Sequence, residues 1–170
     1  GVFAFDASDI EVPTYKGTGW NVYRSALAAG NNIPDGYNLV PINTFHAGRQ
    51  RANTDMGNLP YGHVVIRKEG WYMMNVRYQL VRPTDNDNFM CLLYSNIASG
   101  GSTWALVDVG PENGDIGVHT VGATFIRYCL EGEGLVPGFF YSKGTLETAN
   151  QIVGDNLGTV TYFKGTLMSA

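Results

Sequence analysis

The sequence predicts an all-β fold, a two-layer antiparallel sandwich, on three observations. Apolar residues alternate along single segments. Turn clusters, not helical stretches, separate the apolar runs. The composition is rich in glycine and aromatics and poor in charge. The clearest alternation follows the turn at 67–70: Tyr72, Met74, Val76, Tyr78 and Leu80 form one set, and Met73, Asn75, Arg77 and Gln79 the other. Successive side chains of a strand point to opposite faces, so this segment has one apolar and one mixed face, as in a half-buried antiparallel strand. On a helix both sets would be scattered around the circumference.

The composition bounds what such a fold can be. A chain of 170 residues fits one domain and is long enough to bury a sizeable core without disulfides. It has 22 glycines, well above the average usage of ~7%, and only 15% charged residues against the usual ~25%. Scarce charge points to surface covered in an oligomer. A net charge of −4 speaks against an extended phosphate-binding surface, so no nucleic-acid partner is expected. No apolar run approaches the ~18 residues of a membrane span. Residues 1–10 carry Asp6 and Asp9 and no cation, unlike a secretory leader.

Taken in order, residues 1–36 read as an N-terminal arm or adaptor, too poor in apolar residues for a core of their own. Within the arm, 21–29 is the one expected helix, capped by Asn21 and ended by Gly30. Val12, Tyr15, Trp20 and Tyr23 are its candidates for docking on a larger assembly. Pro34-Asp35-Gly36 is a turn and marks the boundary. From Tyr37 the β pattern begins. Residues 39–45 read as a strand, at an edge or a bulge because Pro41 cannot donate to a ladder. A polar loop at 46–60 precedes the strand pair around the 67–70 turn. Further strands are expected at 89–94, 104–109, 119–130, 135–141 and 159–168, separated by turns at 83–88, 99–102, 110–115, 131–134 and 154–158. About eight strands with loops of uneven length favour a jelly roll over a meander.

The chain from 37 to 170 resembles the C1q/TNF-like jelly-roll family. Glu69-Gly70-Trp71-Tyr72 is similar to the family's Gly-x-Tyr step into a long core strand. The run from Gly122 to Val136, with Glu131-Gly132-Glu133-Gly134 inside it, resembles its strand, Gly-acidic turn and strand. Phe163-Lys164-Gly165-Thr166-Leu167 resembles its closing Phe-x-Gly-x-Leu. The chain departs from the family in lacking a collagen Gly-X-Y stalk, in having Glu133 where Asp is usual, and in having Pro137 in the following strand. The resemblance implies a compact homotrimer that binds or displays and does not catalyse. Trp71, Tyr94, Phe139 and Tyr141 are more aromatics than one narrow core accommodates, which makes them candidates for the trimer interface.

No nucleophile elbow, phosphate loop or Cys-x-x-Cys is present, so no catalytic residue and no cofactor is expected. His46, His63 and His119 are far apart and read as ordinary positions. Asp85-Asn86-Asp87-Asn88 offers oxygen ligands of the kind calcium takes but lacks the Gly and distal Glu of an EF-hand loop; a solvated turn is expected, with Asp85 and Asp87 as calcium candidates. Arg49 and Arg51 read as a solvated loop, with contact to an acidic glycan or a neighbouring subunit as the alternative. Cys91 and Cys129 lie in apolar runs and are expected as buried free thiols, with a disulfide between neighbouring strands left open.

The function expected from all this is that of a non-enzymatic, trimeric structural protein on a virion surface. It would be of bacteriophage type, a capsid decoration (head fibre) or fibre tip, with the arm docked on a major capsid or other virion protein. The alternative is a receptor- or glycan-binding head, viral or secreted, whose loops at 83–88, 95–103 and 110–117 contact a host-surface glycan or protein.

Overall fold

The computed structural model describes residues 18–25, 31–32, 36–40, 42, 44–45, 54–57, 63–81, 88–114, 120–142 and 151–169. Two antiparallel sheets face each other. The first contains β1 (Gly19–Tyr23), β2 (Asn31–Asn32), β4 (Thr44–Phe45), β7 (Gly70–Val81), β10 (Thr120–Cys129), β12 (Gln151–Val153) and β13 (Tyr162–Ser169). The second contains β3 (Gly36–Leu39), β5 (Thr54–Gly57), β6 (His63–Ile66), β8 (Asn88–Ser95), β9 (Ala105–Gly114) and β11 (Gly134–Ser142). No α-helix occurs among the described residues.

β7 organises the first sheet. β10 lies along one side of it, from Gly70↔Cys129 to Gln79↔Thr120. β13 and then β12 lie along the other, and β1 follows β13. The alternation in β7 sets the layers: Tyr72, Met74, Val76, Tyr78 and Leu80 are all buried, and Trp71, Met73 and Asn75 are exposed. β11 organises the second sheet, between β8 on one side and β6 and β3 on the other. Phe89, Cys91, Leu93, Leu135, Phe139 and Tyr141 complete the core from that layer. Tyr78 ties the layers together; its buried hydroxyl donates to the carbonyl of Gly138 at 3.0 Å, which satisfies a polar group that would otherwise be stranded in the core.

Of the segment expected as a helix, 21–23 is instead strand, and 26–29 lies outside the described residues. Gly19–Tyr23 pairs with β13 from Gly19↔Thr166 to Tyr23↔Tyr162 and is buried at every position. The indole of Trp20 packs on Tyr72 and Phe163, at ring separations of 5.5 and 5.2 Å. It also explains the glycine of the Phe-x-Gly-x-Leu step: a Cβ on Gly165 would stand 2.2 Å from the indole. The strand therefore belongs to the jelly roll. Trp20 is 2% exposed and Tyr23 9%, so neither presents a docking face, which corrects their assignment. Burial inside the first sheet outweighed the capping signal. Val12 and Tyr15 lie outside the described residues.

Candidate functional site

The outer face of β7, β10 and β13 departs from the polar exterior expected of an antiparallel sheet. β10 turns Val121, Phe125 and Cys129 inward, which leaves Thr124, Ile126 and Tyr128 facing out. The register sets Tyr128 beside Trp71 and Ile126 beside Met73. The rings of Trp71 and Tyr128 meet edge to face at 5.6 Å. Met168 adds to the same end at the bulge of β13 between Leu167 and Ser169, and Leu130 follows β10. Trp71 is 46% exposed, Met73 38%, Ile126 56%, Tyr128 40%, Leu130 42% and Met168 41%, so the patch is a surface and not an extension of the core. Contiguous exposed apolar side chains of this kind mark interaction sites.

The other end of the face is polar. Its rows are Gly122–Arg77–Tyr162 and Thr124–Asn75–Lys164. Thr124 Oγ1 donates to Asn75 Oδ1 at 2.8 Å. An open depression of about 580 Å³ lies over these two rows.

The turn that follows the apolar end of β10 is tied by hydrogen bonds. Glu133, fully buried in the turn between β10 and β11, accepts from Ser95 Oγ at 2.6 Å, Arg127 Nη2 at 3.0 Å and the Leu130 amide at 2.9 Å. Asn96 Oδ1 accepts from the Gly134 amide at 2.7 Å, and a Cβ on Gly134 would stand 2.5 Å from that side chain. Gly132 has φ 86°, where an L side chain is strained. Gly132, Glu133 and Gly134 of the Gly-acidic turn therefore each have a physical basis, and the longer Glu133 serves where Asp was expected.

The trimer-interface candidates fall on different parts of the structure. Trp71 is in the exposed patch. Phe139 is 1% exposed and Tyr141 fully buried, both in the core of this one chain; Phe139 packs on Tyr78 and Tyr141 on Phe89, which removes them as interface candidates. Tyr94 is half-buried on β8, where the nearby Tyr37 phenol and burial raise its pKa, with burial the larger cause. Ile126 and Tyr128 were not singled out from sequence. The available signal was the even-numbered apolar set of β10. That set alternates with Phe125, Arg127 and Cys129, and with Arg127 in the second set the sequence alone assigns neither set to the core.

Asp85, Asp87, Arg49 and Arg51 lie outside the described residues. Cys91 and Cys129 are free and buried, and burial pushes each thiol up to about 12. His63 is buried against Trp104 at a ring separation of 5.2 Å, and burial lowers its pKa.

No family model matches the chain, and no curated protein does. Solved structures match it over most of its length. The structure of Eiger TNF from S. frugiperda covers 89% of this chain and 92% of its own, with a TM-score of 0.55 at 9% identity. The globular domain of zebrafish complement 1qA protein covers 90% of this chain and 98% of its own, with a TM-score of 0.55 at 13% identity. At these identities the likeness shows the fold: a C1q/TNF-like jelly roll.

Proposed function

We propose that this C1q/TNF-like jelly roll is a non-enzymatic head domain that assembles as a homotrimer and works by contact, as a structural protein on the surface of a bacteriophage particle. The observation that carries the reading is the apolar patch of Trp71, Met73, Ile126 and Tyr128 on the outer face of β7 and β10. A second copy of the same chain is the occupant that suits it. The patch is aromatic- and Met-rich, with the Glu69 carboxylate at the Tyr128 hydroxyl, a composition that suits an interface core with charge toward its rim. The low charge of the chain as a whole agrees with covered surface.

In this reading the trimer decorates the capsid or caps a fibre, and residues ahead of β1, including Val12 and Tyr15, engage a major capsid or other virion protein. Light scattering of the intact chain is the test. A mass of three times 18.5 kDa is expected, and the mass of a single chain at micromolar concentration contradicts the reading. Co-sedimentation of the purified chain with particles, abolished on deleting residues 1–17, tests the docking role.

A further inference from the structure

Two of the five methionines of the chain place thioethers in the exposed patch. Met73 stands on β7 between Ile126 of β10 and Thr166 of β13. Met168 lies at the bulge of β13, where Leu167 pairs with Tyr72 and Ser169 with Trp71. Met73 is 38% exposed and Met168 41%, so a small reagent in solution reaches both side chains. The neighbouring methionines are placed differently. Met74 follows Met73 on β7, points the other way and is fully buried in the core. Met90 is half-buried on β8, in the other sheet.

A thioether on a contact surface can be converted where leucine or isoleucine cannot. A sulfur lone pair attacks one oxygen of hydrogen peroxide. The S–O bond forms, the O–O bond breaks, and the second oxygen leaves as water; sulfur is oxidised and peroxide reduced. The sulfoxide is polar, with an oxygen that accepts hydrogen bonds. In the free chain that oxygen faces water. Between packed copies it loses its water, and the patch offers little in exchange. Ile126 beside Met73 carries no donor, and the Tyr128 hydroxyl already serves the Glu69 carboxylate. Burying a polar group without a partner is costly, so the oxidised patch packs poorly. Oxidation at Met90 would fall on the other sheet and leave the patch as it was.

We propose that Met73 and Met168 are a redox-sensitive modification site: peroxide converts them to sulfoxides in the free chain and so opposes assembly, and assembly shields them from peroxide. The site presupposes the assembly of copies through this patch proposed above. It gives the two thioethers a role that apolar side chains of the same size could not fill.

Peroxide treatment of the intact chain, read by peptide mass spectrometry and sedimentation equilibrium, tests it. The mass of the untreated parent is read first, and a single chain there overturns the assembly and the switch together. In a trimeric parent, Met73 and Met168 should each gain one oxygen at least about tenfold faster than Met74. Both should react more slowly as chain concentration rises through the range in which trimers form. The oxidised chain should dissociate at a concentration at least about tenfold higher than the parent, with its near-UV circular dichroism unchanged. Methionine sulfoxide reductases, one for each epimer, should restore the trimer. The double variant Met73→Leu, Met168→Leu keeps the apolar surface at similar volume and should remain trimeric with and without peroxide. A trimeric parent that keeps its mass once both sites are oxidised, a double variant that peroxide dissociates as it does the parent, or Met74 reacting as fast as Met73 overturns the switch and leaves the assembly standing.

Discussion

Arg127 Nη2 lies 3.0 Å from Oε1 of Glu133, with the carboxylate fully buried and the guanidinium 27% exposed. The pair joins the end of β10 to the turn that starts β11, and the same carboxylate also holds Ser95 and the Leu130 amide. Arg127 lies between the outward-facing Ile126 and Tyr128 in β10, so the pair anchors the end of the strand that carries the exposed patch.

Glu133→Ala removes an acceptor shared by three donors and strands them in the turn. Removing one partner of a buried pair costs about 3–5 kcal/mol. Partial exposure of Arg127 places the expectation near the lower end, about 3 kcal/mol. A fall in the urea midpoint at unchanged slope is the readout. A loss below about 1 kcal/mol would mean that Glu133 does not pin the turn.

Leu80 is 2% exposed and pairs with Ile152 across β7 and β12. Leu80→Ala should cost about 2–5 kcal/mol through lost burial and a residual cavity. A change under about half a kcal/mol would place Leu80 outside the core and shift the register of β7 by one residue, which moves every side chain to the other face.

His63 makes stability depend on pH. Its imidazole is buried against Trp104, and Nδ1 has no hydrogen-bond partner among the described residues. Burial lowers its pKa in the folded chain below the ordinary value near 6.5. Above that value both folded and unfolded chains hold it neutral, and it contributes no pH dependence. As pH falls below about 6.5 the unfolded chain takes the proton first, so stability falls until the folded-state pKa is passed. The melting temperature should drop between pH 7.5 and 5.5, and His63→Leu should flatten that drop. An identical slope in the variant would contradict the assignment.

Both thiols should be inert in the folded chain. With each pKa near 12, on the order of one thiol in ten thousand is ionised at pH 8, and the thiolate is the reactive form. An aromatic disulfide reagent should label neither Cys91 nor Cys129 in native buffer and both in denaturant. Rapid native labelling of either would show that its strand opens locally.

Much of this architecture was legible because strands write their faces into the sequence at a period of two. Tyr72 to Leu80 declare themselves, since one face is buried and the other wet. β1 and β11 do not. Gly19–Tyr23 is buried at every position, and so is Gly134–Phe139 on β11. Burial on both sides erases the alternation, which is why 21–23 read as the start of a helix and why Phe139 and Tyr141 looked surplus to the core. The exposed patch was half legible. Trp71 stood out as a large aromatic opposite a buried set. Ile126 and Tyr128 were masked by Arg127, an inward-facing cation whose orientation depends on a carboxylate six residues on. The polar depression follows from cross-strand register, which brings Gly122, Arg77 and Tyr162 into one row and which no local pattern announces.

Packing of the outer face of β7 and β10 against further copies of the chain is the contact on which the proposed function depends. Ile126→Asp puts a charge on that face at a position 56% exposed, where the fold itself has little to lose. Sedimentation equilibrium of the variant beside its parent is the direct measurement. A trimeric parent and a folded, monomeric Ile126→Asp variant are the predicted result; a variant that keeps the parent's mass, or a parent that is itself a single chain, would contradict it.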